Sequence, residues 1–207
     1  MSKLRKATIE RKSKETQIKG TLNIDGQGKA KIKTPIGLLS HMLELFTFHG
    51  FFDITLEVKG DTHIDIHHTN EDIGIALGKA FKQALGEDKK GIKRFGSGFA
   101  PMEDTLGHTV IDISGRGHSK IYTQGNTLVA LAADERSGYT SEHLEHFLDS
   151  FAKNLGANII VTIINESQTD LHTVMETILK SLGLALDQAT QIDPRRKGVP
   201  STKGIID

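Results

Sequence analysis

Histidine and glutamate recur at helical spacing in two places. Glu71 stands four residues after His67 and three after His68, and Glu176 stands four residues after His172. Residues three or four apart share one face of a helix, so each carboxylate is brought beside an imidazole. Adjacent helical residues point about 100° apart, so His67 and His68 address two metals, or one metal and one substrate. Nitrogen and carboxylate donors without sulfur suit manganese, iron or zinc rather than copper(I) or cluster chemistry. His41 and His146 lie 26 residues before His67 and His172 respectively, which predicts two pseudo-symmetric sites drawing ligands from several segments. A single H-x-x-x-E is more often a solvated helix face; its doubling in register is what favours metal. His49, His63, His108, His118 and His143 have no such counterpart and read as structural. An anion could be held by Arg94 in K-R-F-G-S-G, Arg116 in S-G-R-G, Lys180 on the second His/Glu helix and Lys203 in P-S-T-K-G. Turns of this kind let backbone N–H groups and cations converge on a phosphate.

These residues sit within an internal repeat at an offset of 105 residues. Ser40 to Phe52 set above Glu145 to Ala157 matches His41 with His146, Glu44 with Asp149 and Phe46 with Phe151. His67 to Ala84 above His172 to Ala189 matches His67 with His172, Glu71 with Glu176 and Gly78 with Gly183. Chance lets helices share Leu and Ala, but it does not put His, His, Glu and Gly into register together.

The elements that must position them follow one plan in each copy. Alternation from Ala7 to Asp25 predicts strands, and Asp25-Gly26-Gln27-Gly28 a hairpin-like turn. Lys29 to Thr34 reads as a strand, Thr34 to His49 as a helix, Phe52 to Gly60 as a strand and Thr69 to Leu85 as a helix stopped by Gly86. The second copy runs from about Arg94 through strands at Gly107 to Ser114 and His118 to Thr123. A helix from Ser141 to Leu155, the strand Asn158 to Ile164 and a helix from Leu171 to Thr190 complete it. The expected fold is α+β: two tandem pseudo-repeats, each a small, mostly antiparallel sheet covered on one face by two helices. The repeats occupy 1–92 and 93–190, and residues 191–207 form a polar arm carrying P-S-T-K-G.

Composition removes several classes. With 207 residues, 37% of them hydrophobic and 25% charged, the chain can bury a real core. Lys plus Arg equals Asp plus Glu at 26 each, so no general affinity for nucleic acid or an anionic membrane is written in the balance. No cysteine is present, which excludes disulfides, thiolate metal sites and a thiol nucleophile, while ten histidines are an unusual excess. No apolar run approaches ~18 residues, and the polar start lacks a secretory h-region, so a cytoplasmic protein is the expectation.

The ordered motifs resemble the imidazoleglycerol-phosphate dehydratase family of histidine biosynthesis. They are R-K-S-K-E-T from Arg11, S-H-M-L from Ser40, G-D-T-H-I-D-I-H-H-T-N-E-D from Gly60, G-I-K-R-F-G from Gly91, A-P-M-E-D-T-L from Ala100, D-I-S-G-R from Asp112, Lys180 itself, and V-P-S-T-K-G from Val199. The resemblance implies a hydro-lyase that converts D-erythro-imidazole-glycerol phosphate to imidazole-acetol phosphate with two Mn2+ ions gripping the substrate imidazole. By residue, it implies metal ligands at His41, His67, His68, Glu71, His172 and Glu176, and phosphate or substrate contacts at Arg94, Arg116, Lys180, Ser201 and Lys203. Glu15 matches a carboxylate near the reacting carbons and is the acid/base candidate. The family's assembly implies a homo-oligomer of 24 subunits built of trimers. Departures gather in the second copy: Thr173 replaces a second histidine, Ile160 stands where a strand histidine is usual, and residues 165–171 lack the usual G-x-N turn. Ser40, Ile66, Gly117 and the order Glu103-Asp104 also differ. The first copy therefore reads as the intact ligand set. A divergent member that binds one metal and a phosphorylated ligand without catalysis stands as the rival reading, and a metal-joined structural shell as a third.

Overall fold

Period-two burial makes the strands. In β1 (Lys6–Lys12) Ala7 and Ile9 turn inward, in β2 (Thr16–Asn23) Ile18 and Leu22, and in β4 (Asp53–Gly60) Ile54, Leu56 and Val58. Intervening Thr, Lys and Glu face out, as a sheet with one covered face requires. The computed structural model describes residues 5–87, 89–124, 138–165 and 170–206. β3 (Ala30–Lys33) completes a first sheet of order β1-β2-β4-β3; β5 (Phe95–Met102), β6 (Thr105–Asp112), β7 (His118–Gln124) and β8 (Asn158–Asn165) form a second of order β5-β6-β8-β7. The two topologies are the same.

The stretch Asp25 to Gly28 is not a hairpin. β4 lies between β2 and β3, pairing antiparallel with the former and parallel with the latter, so the chain crosses over instead of turning back. Turn residues mark a reversal without saying which strand becomes the neighbour.

Helices α1 (Gly37–His49) and α2 (Ile66–Leu85) belong to the first repeat, α3 (Ser141–Leu155) and α4 (Leu171–Thr190) to the second. α2 starts three residues earlier than the apolar periodicity indicates, because Asp65 caps it by accepting from the His67 N–H at 2.9 Å. Asp170, 105 residues on, caps α4 through the Thr173 N–H at 2.7 Å. Both caps place a histidine in the first turn of a second helix.

The helices form a layer between the sheets. α2 covers β1 and β2, α4 covers β5 and β6, and across the middle α1 packs on α4 and α2 on α3. Helix pairing thus runs between repeats. Phe46, Phe81, Phe151 and Ile178 lie in one hydrophobic cluster fed by both copies. The repeat glycines make these crossings close. A Cβ at Gly78 would lie 2.6 Å from the Phe151 carbonyl oxygen, and one at Gly183 2.7 Å from that of Phe46. Phe46 and Phe151 are themselves repeat partners, so the two contacts are one contact made twice.

Strand register extends the duplication upstream with a different step. Lys6 pairs with Asn23 and Phe95 with Asp112, 89 residues on, whereas β4 and α2 recur at 105. The second copy therefore carries 16 additional residues (105 less 89) between β7 and α3, where 125–137 lie outside the described residues.

Candidate metal centres

His41 projects from α1, and His172 and Glu176 from successive turns of α4. The α1–α4 crossing brings Nε2 of His41 to 3.2 Å from Oε1 of Glu176, and Nε2 of His172 to 2.9 Å from the same oxygen. The two rings stack with centroids 5.4 Å apart. On the other carboxylate oxygen, Oε2, Glu176 accepts from Nζ of Lys180 at 2.5 Å. Burial works against ionisation of Glu176, but donors from Lys180, His41 and His172 outweigh it and bring the carboxyl down to about 2. His49, read from sequence as structural, faces the same group: burial first, then the Lys180 ammonium, lowers its pKa from the ordinary imidazole value.

The pseudo-symmetric group forms at the α2–α3 crossing. Nδ1 of His67 lies 3.0 Å from Nδ1 of His146, and Nε2 of His67 lies 3.9 Å from Oε2 of Glu71. Each group therefore takes its His-x-x-x-Glu pair from one repeat and its remaining histidine from the other, so neither copy holds a complete set. Of the two, the group built on the second repeat's pair is the more convergent, since Glu71 approaches the ring nitrogen of His67 opposite to the one facing His146.

His68 points elsewhere. Its Nδ1 sits 3.6 Å from Oε2 of Glu15, in the β1–β2 turn, and 3.9 Å from Oδ2 of Asp61, just after β4. Nδ1 of His68 and Oδ1 of Asp61 are out of solvent with no hydrogen-bond partner among the described residues. An orphaned buried nitrogen beside two carboxylates fits a divalent cation better than a closed protein network. The donor atoms of His41, His172 and Glu176 lie within 4.8 Å of one another, as do those of Glu15, Asp61 and His68. All are nitrogen or oxygen, the set that suits manganese, zinc or iron.

The sequence pointed to neither Asp61 nor the crossing of ligands between repeats. Asp61 has no helical spacing to His68, and the crossing depends on which helices touch. Thr173, at the place of the missing histidine, is buried at the start of α4. Ile160 lies in β8, paired with Val110 and Lys120. Of the departure at 165–171, residues 166–169 lie outside the described residues.

The anion candidates occupy other elements. Arg94, in a left-handed conformation at φ 76°, forks onto Asp112 at 2.6 and 3.0 Å and donates from Nη1 to the Pro200 carbonyl at 2.9 Å. It thereby ties the arm carrying Ser201 and Lys203 to β6. Ser201 caps a turn there, its Oγ accepting from the Lys203 N–H at 3.2 Å. Arg116 is exposed in the β6–β7 turn, which Gly115 joins to the end of α3 by donating to the Gly156 carbonyl at 2.7 Å. Lys180 is placed with Glu176 and not on the arm. His143, as expected, is structural: with Thr140 it forms the capping box of α3. Among the described residues no helix is long and apolar enough to cross a membrane.

Known proteins are similar to this chain in sequence and in fold. The profile of the imidazoleglycerol-phosphate dehydratase family matches residues 34–186. The dehydratase of Bacillus pumilus is 48% identical over 203 residues, covering 98% of this chain and all of that protein. That of Geobacillus kaustophilus is 48% identical over 202 residues, covering 98% and 99%. Among solved structures, the dehydratase from Staphylococcus aureus superposes with a TM-score of 0.75 at 29% identity, covering 91% of this chain and 99% of its own. The Pyrococcus furiosus enzyme, solved in complex with (S)-C348, gives 0.75 at 32%, covering 95% and 99%. With the match running nearly end to end on both sides, the chain belongs to the imidazoleglycerol-phosphate dehydratase family.

Proposed function

We propose that the chain is a hydro-lyase that removes water from imidazoleglycerol phosphate to give imidazole-acetol phosphate, a step in histidine biosynthesis. The observation that carries the mechanism is the pair of interleaved His/Glu groups at the two helix crossings. Such groups suit divalent cations, for which Mn2+ is our proposal, with His41, His172 and Glu176 converging as one set; His67, Glu71, His146 and His68 offer further donors that do not converge on one point within the chain. When bound, the metal supplies Lewis-acid stabilisation of negative charge on the substrate imidazole.

The remaining chemistry falls to the chain's own groups. The reaction takes a hydroxyl from the carbon next to the ring and a hydrogen from the neighbouring carbon, leaving an enol that becomes the ketone. The Oε2 carboxylate oxygen of Glu15, half exposed and beside His68, is the group we assign to accept that carbon-bound proton and return it to the departing oxygen. Lys180 holds Glu176 ionised and oriented. Arg116, Ser201 and Lys203 bind the phosphate, and Arg94 contributes through the arm it anchors. Each group here offers three ligands or fewer, short of the six that manganese commonly takes. That shortfall supports sharing of sites between subunits of a homo-oligomer, for which we propose the trimer-based 24-subunit assembly.

The test is metal analysis with turnover. Protein purified with manganese should hold about two ions per chain and convert imidazoleglycerol phosphate to the acetol phosphate. Well-folded, metal-loaded protein with no turnover would refute the assignment. Light scattering separates the assembly proposal from it.

A further inference from the structure

An ion pair built on a buried carboxylate beneath the β1–β2 turn has no part in the chemistry just described. Asp72, on α2 immediately after Glu71, has a side chain only 9% exposed. It accepts from Nε of Arg11 at 2.7 Å, and from the hydroxyl of Thr16 on its second oxygen. Arg11 and Thr16 are the last residue but one of β1 and the first of β2, so Asp72 pins both ends of the turn to the helix. Within the turn, Oγ of Ser13 accepts from the Glu15 N–H at 3.2 Å and from the Thr16 N–H at 3.0 Å. The turn that carries Glu15 is thereby braced within itself and tied at both ends to α2, the helix that also carries His68.

The Glu15 side chain itself needs that support. It is 51% exposed, and the His68 ring lies beside it with Nδ1 at 3.6 Å. A long exposed carboxylate is spread over rotamers unless its backbone is placed accurately, and a misplacement of about 1 Å can cost 10²-fold in rate. A buried ion pair is a weak device for stability, since an apolar replacement of similar volume often does as well. The duplicated fold carries no such pair at the equivalent positions. At the steps of 89 and 105 residues given by strand and helix register, Arg11 corresponds to Ala100 and Asp72 to Thr177. Neither residue is ionisable, so the strand–helix ion pair is not repeated in the second copy.

We propose that Asp72, through Arg11 and Thr16, is a positioning residue that aims the Glu15 carboxylate at the reacting carbons; this rests on the reading of Glu15 as the acid/base. The test compares Asp72→Asn, Glu15→Gln and the double variant in manganese-loaded protein of measured metal content and melting temperature. Asp72→Asn should lower kcat about 10- to 100-fold, with KM within about threefold and metal content unchanged. The double variant should be no slower than Glu15→Gln alone, because a residue that acts through Glu15 has nothing left to position. Multiplicative losses in the double variant overturn the proposal, as does a wild-type kcat in Asp72→Asn while Glu15→Gln is slow. Wild-type kcat in Glu15→Gln removes the acid/base reading itself. Should Asp72→Asn fail to fold, Thr16→Val keeps the Arg11–Asp72 pair and frees one end of the turn, and the same comparison with Glu15→Gln decides.

Discussion

One methyl group at Gly183 sets helix propensity against close packing. In a helix interior, Gly→Ala ordinarily gains about 0.8–1 kcal/mol. Here the new Cβ would lie 2.7 Å from the Phe46 carbonyl oxygen and 3.0 Å from the Gly50 nitrogen, both backbone, where ordinary contact begins near 3.4 Å. Restoring contact parts α1 and α4 by about 0.7 Å, the difference between those distances. Overpacking of this kind costs about 1–3 kcal/mol, so the net effect should be a loss of about 1 kcal/mol, or about 2–4 °C in melting temperature for a chain of this size. The larger effect should fall on the metal. Gly183 lies seven residues, about 10 Å, along the same helix face from Glu176, and spreading the helices stretches the 3.2 Å approach of His41 to that carboxylate. Differential scanning calorimetry and manganese titration of Gly183→Ala read the two effects separately. A variant that melts higher than the parent and binds metal as tightly would show that propensity wins and that the crossing is not close enough to matter.

Other outcomes follow from particular contacts. Glu176 has its carboxyl lowered to about 2 from an ordinary 4.5, so its contribution is complete above 4.5 and is lost as pH falls from there toward 2. In chelator-treated protein, Glu176→Gln should flatten that acid limb of the stability profile, and an unchanged limb would count against the network. Phe51 follows α1 at φ 55°, where the second repeat has Gly156 at φ 77°. Phe51→Asn should therefore stabilise by about 0.5–1 kcal/mol in thermal unfolding, and a loss would mean that the exposed ring is doing more than tolerating strain. Arg94→Lys cannot both fork onto Asp112 and reach the Pro200 carbonyl. Limited proteolysis should then cut the arm sooner and KM should rise about tenfold; an arm as resistant as the parent's would refute the tether.

Much of this was legible in the residues. The bounds of α3 and α4 follow from apolar periodicity ending in Gly156 and at Gln191, and the duplication from His and Glu falling into register. What failed was anything set by contacts between distant segments. The start of α2 was obscured because Asp65, an N-cap, sits in a polar run that looks like loop. The crossover after β2 resembled a hairpin because turn chemistry is the same for both. Gly78 and Gly183 were visible as a matched pair, but only the crossings show that each answers a phenylalanine carbonyl of the opposite copy. Asp61 and the Arg11–Asp72 pair carried no local signal, since 61 residues separate the latter two.

The exchange of histidines between the two halves has a consequence for chain entropy. His41 and Glu176 are 135 residues apart, and His67 and His146 are 79 apart. An ion held at either crossing closes a loop spanning much of the polypeptide, as a covalent cross-link between the halves would. Its binding energy is then available only when both repeats are folded and docked, so it accrues to the whole chain and to neither half alone.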